Sequence, residues 1–395
     1  MTELPVLRRM TGRDPEEAHR ASTPLELLFD LSFVVAVSQA AAQLHHSLTA
    51  GHIGAGLLGY AMVFFAIWWA WMNFTWFASA YDTDDMPYRL LTLVQIAGGL
   101  VLAAGVPSAF ERYDFGTITA GYVLMRVAMI GQWLRAAKGH PAGRPAALRY
   151  ATGIALVQLC WIARLALPAP WGGIGFAVLA LAELIVPVWA EYRGNLTSWH
   201  PGHIAERYGL FTLIVLGEVV ASTTSAVQSA ISDQGLSAGL LVLACGALLL
   251  IFGLWWSYFK HEPTETLRHT RLRTAIAWGY GHYGIFAAVA GLGAGLATAT
   301  DTAGHTGELG ALGASFAVAV PVAAYLLLSG WLHVGLSPTS GLRFGPIAAS
   351  AVLVLAAAPI AMASLPLAVL VMGLLVAAVL AANLVVIHRA RREIR

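Results

Sequence analysis

The stretch LSAGLLVLACGALLLIFGLWWSYFK, residues 236–260, contains no Asp, Glu, Lys or Arg before its final lysine. At a rise of about 1.5 Å per residue, a helix of this length crosses the hydrocarbon core of a bilayer, which is roughly 30 Å thick. Similar stretches recur along the whole chain of 395 residues, in which only 11% of the residues are charged. The sequence therefore predicts an all-α polytopic membrane protein.

Short polar connections separate twelve apolar spans. No secretory signal is expected, because residues 1–23 are polar and no small-residue cleavage site follows them. The predicted transmembrane spans are residues 24–47, 52–80, 87–108, 114–137, 146–167, 171–192, 202–228, 236–260, 272–298, 309–333, 344–363 and 365–388.

Lysine and arginine residues are distributed unevenly between the two predicted membrane faces. If the N-terminus is inside, 20 of the 23 lie in inner segments, whereas only Arg112 and Arg164 lie in outer loops and Arg126 lies within a span. Cytoplasmic loops of membrane proteins carry an excess of these residues. Both termini are therefore expected to face the cytoplasm.

The two halves of the chain resemble each other at a nearly constant offset. Glu26 matches Glu206, and Phe65–Trp69 matches Phe252–Trp256. Because each half has an even number of spans, both copies enter the membrane in the same direction, and a site or path is expected between them. The predicted domains are a cytoplasmic segment, residues 1–23, and two parallel six-helix repeats, residues 24–199 and 200–395.

Ionisable side chains inside the predicted spans are candidate functional residues, because a charge in hydrocarbon costs a few kcal/mol. Arg126 keeps its proton, so it requires a buried carboxylate or a wet cavity, and Glu183 and Glu218 lie at a matching depth. A purely structural ion pair is the alternative. The candidate transport or polar-core residues are Asp30, Asn73, Arg126, Glu183, Glu218 and His282.

The beginning of the first span contains two acidic residues of different character. Thr23 and Glu26 are spaced as a capping box, which explains Glu26 without any function. Asp30 lies one turn deeper and has no cap to satisfy. Its non-functional explanation is a hydrogen bond to Asn73 or to a neighbouring helix terminus.

Two further polar segments allow more than one interpretation. Glu218 shares a helical stripe with Ser222 and Ser225, which suits proton or cation exchange, although the hydroxyls are equally explained by hydrogen bonds to their own helix. The tryptophan-rich segment Trp68–Trp76 is interpreted as an aromatic belt with core packing.

Several classes of function are disfavoured by the sequence. Cys160 and Cys245 lie in apolar runs, so neither a disulfide framework nor a cysteine zinc site is expected. The only lysines, Lys138 and Lys260, lie at the inner boundary, away from the midplane position of a retinal Schiff base. No phosphate-binding loop is present, and the net charge of +2 gives no nucleic-acid footprint. No metal or cofactor is predicted.

Two blocks of sequence resemble a known family. The run TPLELLFDLSFVV, residues 23–35, and the run ERYGLFTLIVLGE, residues 206–218, are similar to the hallmarks of the bacterial low temperature requirement A family. The resemblance implies a multi-pass protein of the bacterial cytoplasmic membrane. No catalytic residues follow from the resemblance, because the family is named for a growth requirement at low temperature and not for a biochemical activity.

The favoured hypothesis is a channel or secondary transporter for a cation or small polar solute. Asp30 and Glu218 would coordinate or exchange the charge, while Arg126 and Glu183 would set the field or the gate. Two alternatives remain open, an intramembrane enzyme using His282, Glu218 and Asp30, and a membrane sensor or assembly factor. The expected partners are the lipid bilayer and an ion or small solute, and self-association into a homo-oligomer is left open.

Overall fold

The computed structural model describes residues 6–17, 20–168, 170–191, 197–260, 264–268, 272–304, 308–332 and 344–393, and the regular structure within them is helical. The helices are α1 Pro24–Thr49, α2 Ile53–Tyr81, α3 Met86–Arg112, α4 Gly116–Gly139, α5 Arg144–Arg164, α6 Trp171–Ala190, α7 Pro201–Gln234, α8 Ala238–Phe259, the short α9 Thr264–Arg268, α10 Leu272–Ala303, α11 Ala311–Gly330, α12 Phe344–Ala357 and α13 Leu365–Glu393.

Each of the twelve predicted spans coincides with a long helix, and eleven of those in the described part of the chain are long and apolar enough to cross a membrane. The exception is α4, in which Arg126, Gln132 and Arg135 lower the apolar content. The sixth span is predicted to end at residue 192 and the tenth at residue 333, and both of these residues lie outside the described part of the chain. The multi-pass membrane architecture is thus supported, while the repeat and the orientation of the termini stay predictions.

Local sequence explains how several helices begin and end. Asp85 caps α3 by accepting a hydrogen bond from the backbone N–H of Tyr88 at 3.0 Å, and Pro87 occupies the first turn. Tyr113 ends α3 in the left-handed conformation, with φ of 57°. Helix α12 passes into a 3₁₀ segment, Ala358–Met362, whose Pro359 lacks the N–H that would continue the α-helical hydrogen bonding.

The first of two compact units comprises Met1–Ala40 and Ala61–Tyr208. Within it α3 and α4 pack closely, since a Cβ atom added to Gly121 would lie 2.5 Å from the carbonyl oxygen of Gly98. Glycines at such contacts let two membrane helices approach each other. This close packing fixes α4, and therefore the position of Arg126, within the unit.

The second unit comprises Ala41–Tyr60 and Gly209–Arg395. Its helices α8 and α13 meet at Gly246, where an added Cβ atom would lie 2.6 Å from the backbone nitrogen of Leu370. Gly295 of α10 abuts the carbonyl oxygen of Ala317 in α11. The two contacts show that glycine spacing, as in the first unit, determines which helices lie close together.

An N-terminal segment, residues 6–17, packs on the C-terminal ends of α2 and α4 in the first unit. Arg9 donates from Nε to the carbonyl oxygen of Gly139 at 2.7 Å, and Arg13 donates from its backbone N–H to that of Ala80 at 3.1 Å. Met10 is 2% exposed. Carbonyl groups at a helix C-terminus lack intrahelical donors, so arginines of this segment supply them.

Candidate functional site

Asp30 of α1 and Arg207 of α7 form a buried ion pair in the first unit. The guanidinium donates from Nε to Asp30 Oδ2 at 3.0 Å and from Nη2 to Asp30 Oδ1. The indole N–H of Trp71 donates to the same Oδ1 at 2.7 Å. Because both charged side chains have 0% exposure, Asp30 is balanced by protein donors alone.

Glu26 combines the predicted capping role with a second set of contacts. Its Oε2 accepts from the backbone N–H of Thr23 at 2.8 Å, and Thr23 Oγ1 accepts from the backbone N–H of Glu26 at 3.3 Å. The capping box predicted from the sequence is therefore present. The other carboxylate oxygen, Oε1, lies 3.0 Å from Nη1 of Arg207, so one guanidinium contacts two carboxylates.

His203 and Arg20 extend this group of charges toward the end of α2. Arg20 donates to the carbonyl oxygens of Ser79 at 2.8 Å and Ala78 at 2.9 Å, in the last turn of α2. It also lies 3.1 Å from Nδ1 of His203. Because arginine only donates, this Nδ1 must be unprotonated, and the proton of the neutral imidazole lies on Nε2, which is 3.2 Å from Glu26 Oε1.

Asp82 lies in the connection between α2 and α3 and is the only one of these acids outside the helices. Its Oδ2 lies 3.5 Å from Nη2 of Arg20, and its side chain is 6% exposed. Burial raises the pKa of Asp82 to about 6, the negative charge of Glu26 adds to this effect, and Arg20 opposes it. Asp82 is thus placed to gain and lose a proton close to neutral pH.

We refer to the residues joined by these contacts as the Arg207 cluster. It contains three carboxylates and two guanidinium groups, and its histidine is neutral by the hydrogen-bonding argument above. The cluster therefore carries one unbalanced negative charge when every acid is ionised. Its members are Arg20, Glu26, Asp30, Asp82, His203 and Arg207.

Arg126 and Glu183 form a second buried pair in the same unit. Of the two carboxylates at matching depth, the structure places Glu183 against Arg126, with Nη2 donating to Oε2 at 3.2 Å. Arg126 also donates to the hydroxyl of Tyr122 at 2.9 Å. Glu183 accepts from the indole N–H groups of Trp69 at 2.8 Å and Trp161 at 3.3 Å. The two opposite charges of this pair therefore balance each other, and both carboxylate oxygens of Glu183 accept hydrogen bonds.

Three other candidate residues have separate surroundings. Asn73 is half-buried and donates to the carbonyl oxygen of Trp69 at 2.7 Å, one turn back along α2, rather than to Asp30. Glu218 is half-buried in the second unit. Ser222 of its predicted stripe donates to the carbonyl oxygen of Val219 at 3.2 Å, as the structural alternative supposes.

His282 lies in the second unit with both ring nitrogens engaged. Its Nδ1 lies 2.8 Å from the carbonyl oxygen of Trp278, which can only accept, so this nitrogen carries the proton. Its Nε2 then accepts from the hydroxyl of Tyr258 at 3.0 Å. Within the described residues, no group of three or more His, Cys, Asp or Glu side chains is arranged to hold a metal ion.

Sequence reasoning missed four members of the cluster, Arg20, Asp82, His203 and Arg207. Arg207 lies near the beginning of α7, and from the sequence it was counted only among the many positive charges on the cytoplasmic side of the membrane. The tryptophans were assigned to a belt and to core packing, and Trp69 and Trp71 are indeed fully buried. The indole N–H of Trp69, however, donates to Glu183, and that of Trp71 donates to Asp30. Acidic residues at similar depth on other helices were the signal that could have suggested these hydrogen bonds.

Comparison with known proteins identifies a family through one family model. The family model described as bacterial low temperature requirement A protein (LtrA) matches residues 21–386, nearly the whole chain. An uncharacterized protein, RA0937, of Rhizobium meliloti (strain 1021) is 28% identical over 256 residues. That match covers 61% of this chain and 58% of the relative, so the chain spans little more than half the length of this curated relative.

Proposed function

The chain belongs to the bacterial low temperature requirement A (LtrA) family, and for this member we propose a proton-linked channel or secondary transporter for a cation or small polar solute. The Arg207 cluster is the observation that carries the proposal. Arg207 contacts both Asp30 and Glu26 with no solvent exposure, in a chain with eleven apolar helices of membrane-spanning length among its described residues. Charges maintained inside such a bundle commonly serve an ion or proton pathway.

The charge balance of the cluster supports a link to protons. With its three carboxylates ionised, the cluster has one negative charge in excess, which one proton or one monovalent cation neutralises. Asp82 is suited to take up the proton, because burial and the negative charge of Glu26 raise its pKa to about 6. The positive charge of Arg20 opposes this increase. Its neighbours Arg13 and Asp84 also act on it, in opposite directions.

The remaining candidate residues have supporting roles in the proposal. Arg126 and Glu183 hold α4 against α6 and set the electrostatic field within the first unit. Glu218, half-buried on α7, supplies a second acid for exchange in the other unit. Asn73 and His282 contribute polar contacts, each within its own unit, rather than charge.

The direct test is a flux measurement in proteoliposomes loaded with a pH-sensitive dye. A panel of monovalent cations and small polar solutes would be added outside, with and without an imposed pH gradient. We expect at least one of them to cause proton movement that protein-free liposomes lack. Asp30→Asn and Glu218→Gln should each reduce that movement about tenfold or more, because each removes an acidic group from a membrane-spanning helix.

Asp114→Asn is the matched control, because Asp114 is an exposed acid in the connection between α3 and α4. This variant should transport like the native chain. A native protein that moves none of the panel, or flux that is unchanged in both Asp30→Asn and Glu218→Gln, would contradict the proposal. An intramembrane enzyme or a membrane sensor would then be the hypothesis to pursue.

The proposal includes a cytoplasmic-membrane location with both termini inside and two parallel repeats, supported by the lysine and arginine distribution. Single cysteines at exposed positions test the orientation, in a chain that carries Cys160→Ala and Cys245→Ala. Asp14→Cys precedes α1, and His52→Cys lies between α1 and α2. A membrane-impermeant maleimide added to intact cells should label His52→Cys and not Asp14→Cys, and the reverse pattern would overturn the orientation.

A further inference from the structure

Arg164, the last residue of α5, is a buried cation surrounded by aromatic rings. Its guanidinium carbon lies 5.0 Å from the ring centre of Phe115 and 5.4 Å from those of Trp161 and Phe176. Nη1 donates to the carbonyl oxygen of Gly172 at 2.9 Å. The residue is only 6% exposed, although it lies at the end of a membrane-spanning helix.

Among the described residues, no carboxylate balances the charge of Arg164. In the part of the chain that the structure describes, no carboxylate forms an ion pair with it, and its buried Nε atom has no hydrogen-bond partner. Ring faces attract a cation but carry no net charge, and a guanidinium does not release its proton. The side chain therefore presents an unused donor and a full positive charge.

A small cavity adjoins this side chain. It is lined by Phe65, Phe115, Tyr122 and Trp161 together with Arg164, and about 20 Å³ of it is accessible to a water-sized sphere. Such a volume holds roughly one water molecule or one oxygen atom of a larger group. Leu165 and Leu167, which follow Arg164 in the chain, are 46% and 47% exposed, so apolar surface continues beyond this end of α5.

We propose that Arg164 and this aromatic cavity bind the phosphate group of an anionic phospholipid of the surrounding bilayer. A phosphate oxygen would enter the cavity and accept from the guanidinium, and the acyl chains would lie along the exposed leucines. The net negative charge of the lipid supplies the missing counter-charge, which a lipid without phosphate does not. This site is independent of the transport proposal, because it uses none of the Arg207 cluster.

The site also adjoins the Arg126 pair through two shared residues. Tyr122 lines the cavity and accepts from Arg126, while the ring of Trp161 lies against Arg164 and its N–H donates to Glu183. A bound phosphate would therefore be connected, through these two aromatic side chains, to the buried ion pair. Lipid composition would in this way influence the interior of the first unit.

Native mass spectrometry of the full chain in detergent tests the assignment. Phosphatidylglycerol would be compared with diacylglycerol of the same acyl chains and with inorganic phosphate. We expect retention of phosphatidylglycerol alone, and about tenfold weaker retention in Arg164→Gln because a charge-assisted contact is lost. Arg164→Lys, which keeps the charge but not the planar donor geometry, should be intermediate.

Arg112→Gln is the matched control, because Arg112 ends α3, is 65% exposed and lies beside Glu111. It should retain the lipid like the native chain. Equal retention in Arg164→Gln and the native chain, or equal retention of diacylglycerol, would overturn the proposal, and binding of inorganic phosphate without the lipid would assign the site to a soluble anion instead.

A measurement on the unaltered protein covers the case in which Arg164→Gln does not fold. A photoreactive phosphatidylglycerol should crosslink to peptides that contain Phe115, Trp161 or Phe176. Crosslinks confined to peptides that contain none of these three residues would contradict the assignment, independently of the mass-spectrometric result.

Discussion

The guanidinium of Arg207 contacts both carboxylate oxygens of Asp30, which lies 177 residues earlier in the chain, and neither side chain is exposed to solvent. Replacing one member of such a buried pair leaves the other charge uncompensated. Nη1 of Arg207 also lies 3.0 Å from Oε1 of Glu26, closer than any guanidinium nitrogen of the other described arginines. Its removal therefore affects two carboxylates at once.

We expect Arg207→Gln to lower the free energy of unfolding by about 3–5 kcal/mol, measured by denaturation in detergent. The double variant Asp30→Asn, Arg207→Gln should lose less than the sum of its two single variants, because no unpaired charge is left at Asp30. Arg89→Gln is the control, since its pair with Asp84 has side-chain exposures of 40% and 44% and should contribute at most about 1 kcal/mol. Strict additivity in the double variant would argue against a coupled pair.

The stability of the protein should depend on pH through Asp82. Burial raises its folded-state pKa from 3.8 to about 6, so the folded state binds the proton more tightly than the unfolded state. The resulting contribution is fully present below pH 3.8 and is lost as the pH rises through 6, by up to about 3 kcal/mol. Asp82→Asn should therefore flatten the decrease in unfolding temperature between pH 5 and about 7.5.

Asp114→Asn provides the comparison for that pH series, because it removes an exposed carboxylate whose Oδ1 caps the backbone N–H of Gly116. It should keep the native slope. A slope that is the same in the native chain and in Asp82→Asn would show that this carboxyl does not titrate in the stated range.

Two buried histidines should have opposite tautomers. His203 accepts from Arg20 at Nδ1, so its proton is on Nε2, whereas His282 faces a carbonyl oxygen with Nδ1, so its proton is on that nitrogen. Nitrogen-15 NMR of the imidazole groups, assigned with His203→Gln and His282→Gln, should give one signal pattern of each kind. The same tautomer at both positions would require a different hydrogen-bond arrangement.

Glycines at helix contacts should be far less replaceable than glycines facing outward. A Cβ atom on Gly295 would collide with the backbone of Ala317, whereas one on Gly217 would meet nothing within 4 Å. Gly295→Ala should lower the free energy of unfolding by about 1–3 kcal/mol, and Gly217→Ala should leave it unchanged or raise it by up to about 1 kcal/mol. Comparable losses in both variants would contradict the packing described for α10 and α11.

The helices were predictable because the requirement that creates them is local. A bilayer demands runs of about 20 apolar residues, and such runs are visible without any knowledge of how the helices pack. The same holds for Thr23 and Glu26, whose mutual hydrogen bonds span three positions. Depth matching also pointed to Glu183 and Glu218 as candidate partners of Arg126, and the structure places Glu183 there.

The Arg207 cluster was beyond this kind of reasoning for a physical reason. Its contacts join α1 and the end of α2 to α7. Which helices are neighbours cannot be inferred from the sequence of any single helix. Arg20 was counted only among the positive charges of the cytoplasmic side, although its side chain is 3% exposed and donates to carbonyl oxygens in the last turn of α2. The role of a polar residue in a helical bundle therefore depends on neighbours far away in the chain.

The N-terminal segment implies an order of events during synthesis. Arg9 leaves the ribosome long before Gly139, to whose carbonyl oxygen it binds across a separation of 130 residues. The contact between Arg9 and Gly139 can therefore form only after α4 has been synthesised. A nascent chain halted before Gly139 should still expose this segment to protease, and one halted well beyond it should not.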